Sequence, residues 1–195
     1  MTRGLFRSAG GGGIARLLRA IILFVLFPAP ATALDALYLV RHAEKSEGWP
    51  QERELDAFWP LSPGGQVRAE FLASRLENSG IAAVYTSRTS RTLMTGLPLA
   101  KRIGIPIAAN DDSIAADKME AFLSTVRGKH PGDKAVLIVG HSNTIPLLLL
   151  RLGATPDCFG RLGIVQKGPT FLIEGHDGLW KADLKKQGCE ALTQE

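Results

Sequence analysis

Three short segments of the chain are apolar at every position: Ala36-Leu37-Tyr38-Leu39-Val40, Ile81-Ala82-Ala83-Val84-Tyr85 and Ala135-Val136-Leu137-Ile138-Val139. A strand that does not alternate has both faces covered, as central strands do in a parallel sheet flanked by helices. Between the first two segments Ser62 can cap a helix and Pro63 fits its first turn, with Val67, Phe71, Leu72 and Leu76 as its apolar face. Between the second and third, Met119, Phe122, Leu123 and Val126 recur at helical spacing and stop near Gly128. A further helix is expected after Arg91, with Gly96 and Pro98 as potential interruptions. Near the C-terminus, residues 171–174 and 179–184 flank Asp177-Gly178 in the pattern of an antiparallel hairpin. The pattern predicts an α/β fold, a three-layer α/β/α sandwich whose mostly parallel sheet carries one or more antiparallel edge strands. The stretch Ser46 to Pro60 is too long for an ordinary connection and is expected to be a loop over the site. Its aromatic residues Trp49, Phe58 and Trp59 either line a sugar or aromatic site or close the loop against the core, the second being favoured.

The first 33 residues differ in kind from the rest. Four arginines and a glycine run precede the apolar stretch Ala20 to Phe27, which is followed by Pro28, Pro30 and Ala31-Thr32-Ala33, the layout of a secretory signal cleaved after Ala33. An uncleaved anchor and a buried N-terminal helix are the alternatives. The expected division is therefore a signal peptide at 1–33 and one domain at 34–195, exported to the periplasm or secreted. Charge then changes meaning. Removing the segment takes away four of the 23 Lys and Arg and none of the 19 Asp and Glu, so the remainder is formally neutral. The basic excess lies in the removable part, which argues against a nucleic-acid partner and leaves no lasting membrane association after cleavage. The oligomeric state is open. In an oxidising compartment Cys158 and Cys189 either form a bridge or stand as two independent thiols.

Each apolar strand runs into a polar cluster. Val40 is followed by Arg41-His42-Ala43-Glu44, Tyr85 by Thr86-Ser87-Arg88 and then Arg91, and Val139 by Gly140-His141-Ser142-Asn143. The carboxyl ends of parallel strands share one edge, where ligands bind, so the three clusters should converge. Two histidines and two or three arginines make a pocket of cationic donors suited to a phosphate monoester. A zinc site of His42, His141, His176 and Glu44 is a weaker reading, because the metal-binding His-x-x-x-His spacing is missing and Arg41 opposes a cation.

The motif Leu39-Val40-Arg41-His42-Ala43-Glu44 resembles the N-terminal motif of the histidine phosphatase superfamily, which includes phosphoglycerate mutase-like and phosphohistidine phosphatase proteins. Leu61-Ser62-Pro63-Gly64-Gly65-Gln66 with Arg68-Ala69, Tyr85-Thr86-Ser87 with Arg91-Thr92, and Val139-Gly140-His141-Ser142 resemble three further motifs of that family, in order, over about residues 36 to 150. The resemblance implies phosphomonoester hydrolysis through a phosphohistidine on His42, with Arg41 and Arg91 binding the phosphoryl group and His141 contacting it. It implies no cofactor and no metal, and a small phosphorylated substrate. Ser87, Arg88 and Asn143 are candidate substrate contacts. A phosphatase is favoured over a mutase because the chain looks exported. The general acid is not placed by any motif; Asp111, Asp112, Glu44 and Asp56 are the candidates, and Asp112→Asn is expected to affect alkyl phosphates more than p-nitrophenyl phosphate. A phosphate- or phosphosugar-binding module without turnover is the alternative function.

Overall fold

The computed structural model describes residues 33–50 and 52–195; the expected signal segment, apart from Ala33, lies outside the described residues. The three apolar segments form β1 (Ala36–Arg41), β2 (Ile81–Thr86) and β4 (Ala135–Gly140), joined by a short β3 (Ile107–Ala109). Four helices lie between and after them: α1 (Pro63–Leu76), α2 (Ser90–Ile103), α3 (Met119–Lys129) and α4 (Thr144–Arg151). The chain continues through a short α5 (Pro156–Phe159), then β5 (Ile164–Lys167), β6 (Thr170–Ile173), β7 (Leu179–Asp183) and β8 (Leu192–Gln194). The main sheet has the order β3-β2-β4-β1-β7-β8, with β3, β2, β4 and β1 parallel and β7 antiparallel to β1.

The unbroken apolarity of the central strands is explained by what lies on each face. Ala36, Tyr38 and Val40 of β1, with Val84, Leu137 and Val139, pack against Leu72, Ala73 and Leu76 of α1 and Leu99 and Ala100 of α2. The alternate residues Leu37 and Leu39, with Val136 and Ile138, pack against α3 through Phe122, Leu123 and Val126 and against α4 through Ile145, Leu148 and Leu149. Both faces are covered, so the polar residues of these strands, Arg41 and Thr86, come at their carboxyl ends. The expected three-layer α/β fold is the one observed.

Three local expectations need correction. The buried stripe of α1 is Gly65, Ala69, Leu72, Ala73 and Leu76, while Val67 and Phe71 are exposed. The helix sits close over the first loop, and a side chain at Gly65 would collide with the Glu44 backbone, so small residues rather than the larger apolar ones face inward. The hairpin expected around Asp177-Gly178 does not form. β6 pairs with β5 in a separate two-stranded sheet, whereas β7 joins the main sheet beside β1, and residues 174–178 cross from one to the other. Finally, α2 runs unbroken through Gly96 and Pro98. Gly96 is needed there, because a Cβ would lie 2.8 Å from Val84 Cγ1, and the helix could not lie so close to the sheet.

Cys158 and Cys189 form a disulfide with Cα atoms 5.9 Å apart, tying α5 to the turn that precedes β8. Among the described residues no helix is long and apolar enough to cross a membrane.

Candidate active site

The pairing register of β1 and β4 sets the centre of the site. Arg41 lies opposite Gly140, so the next residues, His42 and His141, leave the sheet side by side. The His42 amide extends the ladder by donating to the Gly140 carbonyl at 2.9 Å, and the imidazole centroids lie 5.2 Å apart in an edge-to-face arrangement. On the other side of β4, Thr86 is opposite Val139, which brings Ser87 beside His141 with its hydroxyl 3.1 Å from Nε2. The convergence expected from three strand ends is therefore present.

Although it lies at the sheet edge where ligands bind, His42 is only 5% exposed. Its Nδ1 lies 2.7 Å from the Ala43 carbonyl, which can only accept, so Nδ1 carries the proton and Nε2 holds a free lone pair. Burial pushes its pKa down to about 3 against the opposing Ala43 hydrogen bond, and the neighbouring His141, Arg91 and Arg41 add smaller downward contributions. Burial, then the Arg91 charge, brings His141 to about 4. Both imidazoles are neutral at pH 7. The Ser87 hydroxyl can donate to or accept from Nε2 of His141, and Nδ1 of that ring makes no hydrogen bond among the described residues.

The arginines frame this pair. Arg91, in the first turn of α2, is 8% exposed, and its Nη1 and Nη2 donate to the backbone carbonyl and carboxylate of Asp56 at 2.6 and 3.0 Å. Arg41 is held by Nη1 donating to the carbonyls of Ile173 and Gly175 at 3.2 and 2.8 Å. The Nε atoms of both arginines are buried without a hydrogen-bond partner. A buried unpaired donor costs about 1–3 kcal/mol, an amount that an oxyanion acceptor would offset.

The remaining candidates fall in different places. Ser87 was expected to contact substrate, but it is fully buried and its hydroxyl is shared among Thr89, Thr92 and His141, so it orients the second histidine instead. Arg88 is exposed, and its guanidinium makes no ion pair among the described residues, while its backbone amide donates to Asp111 at 2.8 Å. Asn143 is exposed at the start of α4. Asp112 lies 3.4 Å from Lys118. Glu44 accepts two hydrogen bonds from Arg68 Nε, at 2.8 and 2.9 Å, and this pairing holds its carboxyl below the usual range, which suits an ion and not a proton donor. Arg68 also pairs with Asp177.

In the sequence, His176 is grouped with His42 and His141 only in the weaker zinc reading, and the phosphatase reading gives it no role. It comes from the crossing between β6 and β7, its Nδ1 donates to the His42 carbonyl at 2.6 Å, and its ring centroid is 5.6 Å from that of His42. No local pattern marks it, because the hairpin expected there would have turned it away. Beside it a cavity of about 120 Å³ is walled by Val40, Phe71, Leu72 and Leu179, with Arg41 and Arg68 on its border.

Comparison with known proteins bears on this geometry. The model of the histidine phosphatase superfamily (branch 1) matches residues 37–115, which include Arg41, His42 and Arg91. Over those residues the chain is similar to the histidine phosphatase superfamily. Several solved structures share the fold. SixA of Agrobacterium tumefaciens is 22% identical, with 82% of this chain and 94% of that chain covered and a TM-score of 0.57. Mycobacterial glucosyl-3-phosphoglycerate phosphatase in complex with inorganic phosphate is 15% identical, with 83% and 94% covered and a TM-score of 0.60. YhfR of Bacillus stearothermophilus is 19% identical, with 76% and 90% covered and a TM-score of 0.57. A search of curated proteins finds no match. The superfamily match ends before His141, which the β1–β4 register brings to the site.

Proposed function

We propose that this protein hydrolyses small phosphomonoesters through a phosphohistidine on His42. The observation that carries this reading is the fixed tautomer of a buried, neutral His42, whose free Nε2 stands among Arg41, Arg91 and His141. A neutral imidazole nitrogen is a competent nucleophile toward phosphorus. Arg41 and Arg91 then neutralise charge on the equatorial oxygens, and His141 donates another hydrogen bond. As Nε2 bonds to phosphorus the ring becomes cationic, and the short Nδ1–H bond to the Ala43 carbonyl stabilises that form. Water attacks the phosphohistidine in the second half of the cycle and releases inorganic phosphate. The guanidinium groups supply the positive charge that Mg²⁺ provides in nucleotide-dependent transfer, so turnover needs no metal.

The substrate class is a small phosphate ester. The fold relative solved with phosphate is named for a phosphosugar ester, and Arg41 and His176 border a cavity beside the site. Export is part of the proposal: the N-terminal segment has the layout of a signal, and the Cys158–Cys189 disulfide suits an oxidising compartment.

Hydrolysis of p-nitrophenyl phosphate in EDTA, by the wild type and by His42→Ala, tests the reading. Activity in the first and its loss in the second are expected. Equal activity in both would overturn it.

A further inference from the structure

The hydrolysis proposed above leaves one requirement unmet, a proton for the departing oxygen of unactivated esters. Three of the four candidate carboxylates are committed elsewhere: Glu44 to Arg68, Asp111 to the Arg88 amide and Asp112 to Lys118. Among the described residues, only Asp56 is a carboxylate hydrogen-bonded to one of His42, Arg41, Arg91 and His141. Its charge also acts on His141 and on Lys45.

The segment that carries Asp56 can move without unfolding the core. It is the 3₁₀ turn Arg53–Phe58, which buries none of its residues. Its flanks are held by the indole of Trp59 donating to Ser46 at 2.8 Å, by Lys45 stacked 3.4 Å over the Trp59 ring, and by a single bridge between Lys45 and Leu61. The Asp56 side chain is half exposed, whereas its partner Arg91 is 9% exposed. The cation is fixed and the carboxylate is the partner able to yield.

We infer that Asp56 is the general acid, displaced from Arg91 by the substrate phosphate and left beside the leaving oxygen. The inference rests on the phosphohistidine reading of His42. Once the phosphate takes the Arg91 guanidinium, Asp56 loses its cation and faces a dianion, a change that favours the protonated carboxyl, with the proton taken from solvent. In the first step the Nε2–P bond forms, the ester P–O bond breaks, and the Asp56 proton passes to the departing oxygen. The products are phosphohistidine, free alcohol and the Asp56 carboxylate. In the second step water gives its oxygen to phosphorus and a proton to Asp56 as the Nε2–P bond breaks. Substrate binding thus generates the acid that the reaction needs, and esters whose leaving groups are already stable need it least.

The test is kcat/KM for a series of monoesters, from p-nitrophenyl through phenyl to alkyl phosphates, in the wild type, Asp56→Asn, Asp112→Asn and His42→Ala. Asp56→Asn should lower alkyl phosphates by about 100-fold or more and p-nitrophenyl phosphate by about tenfold or less, steepening the dependence on leaving-group pKa. Asp56→Glu should recover part of the alkyl activity. Inhibition of Asp56→Asn by inorganic phosphate, as strong as or stronger than in the wild type, shows that the site is folded and that Arg91 has been released. A uniform loss across the series in Asp56→Asn, or a selective loss in Asp112→Asn alone, would overturn the assignment of Asp56. An inactive wild type, or activity kept in His42→Ala, would overturn the underlying reaction instead.

Discussion

The two histidines and the carboxylates around them are placed by different means. His42 and His141 leave adjacent rungs of one parallel ladder, between strands buried on both faces, and their separation is set by backbone hydrogen bonds. Glu44, Asp56 and Asp111 lie on connecting segments, and each is held by a donor from another element: Arg68 of α1, Arg91 of α2 and the Arg88 amide. Ladder positions cannot shift without breaking the sheet, whereas a loop carboxylate moves when its partner is taken. The groups that must be ready before substrate arrives sit on the sheet. The group that must change protonation during the reaction sits on the loop.

The largest expected effect comes from breaking the sheet-borne half. His42→Ala should lower kcat by about four orders of magnitude or more, since a missing nucleophile is not replaced by its neighbours. Steady-state hydrolysis of p-nitrophenyl phosphate measures it. His42 is buried, so this variant also leaves a small void, and its melting temperature should be checked beside its activity.

Arg91→Ala should cost about 10²–10³-fold in kcat by removing one charge from the transition state. It also releases Asp56 from its ion pair, so the loss should be smaller for alkyl phosphates than for p-nitrophenyl phosphate, the reverse of the Asp56→Asn pattern. That opposition sharpens the comparison more than either variant alone.

Away from the site, replacing Cys158 and Cys189 by Ser should lower stability by about 3 kcal/mol and leave kcat near the wild-type value below the melting transition. The bridge spans 31 residues of sequence and touches none of the strand ends that carry the histidines. Urea unfolding of oxidised and reduced protein checks the size of this effect.

A separate effect is on the pH dependence of stability. His42 and His141 titrate near 3 and 4 in the folded protein and near 6.5 when unfolded, so between about pH 4 and 6.5 the unfolded chain binds more protons. Stability should fall as pH drops through that window and be unaffected by these groups above it. His42→Gln should reduce the slope by about one proton, read from urea midpoints at several pH values.

The sequence made the sheet-borne half legible because apolar runs and the residues that follow them are local signals. Arg41-His42, Ser87, Arg91 and Gly140-His141 could each be placed at a strand end or a helix start, and the strand-end rule brought them together. The loop-borne half was not legible. Whether Asp56 or Asp112 meets Arg91 depends on how the segment 46–60 folds back, which the Trp59 and Lys45 contacts settle and no periodicity announces. The position of His176 was not legible for a similar reason, since it depends on β6 leaving the main sheet for a hairpin with β5. In α1 the period was read correctly but its phase was not, because large apolar residues at Val67 and Phe71 outweigh Gly65 and Ala69 in any hydrophobicity count.

The central claim is that phosphorus is transferred to His42, and the most direct measurement is a rapid-quench reaction stopped in alkaline denaturant, where phosphohistidine survives. Peptide mass spectrometry should then find phosphate on Nε2 of His42 within a single turnover. Phosphate on His141, or no phosphorylated peptide while product still forms, would contradict it.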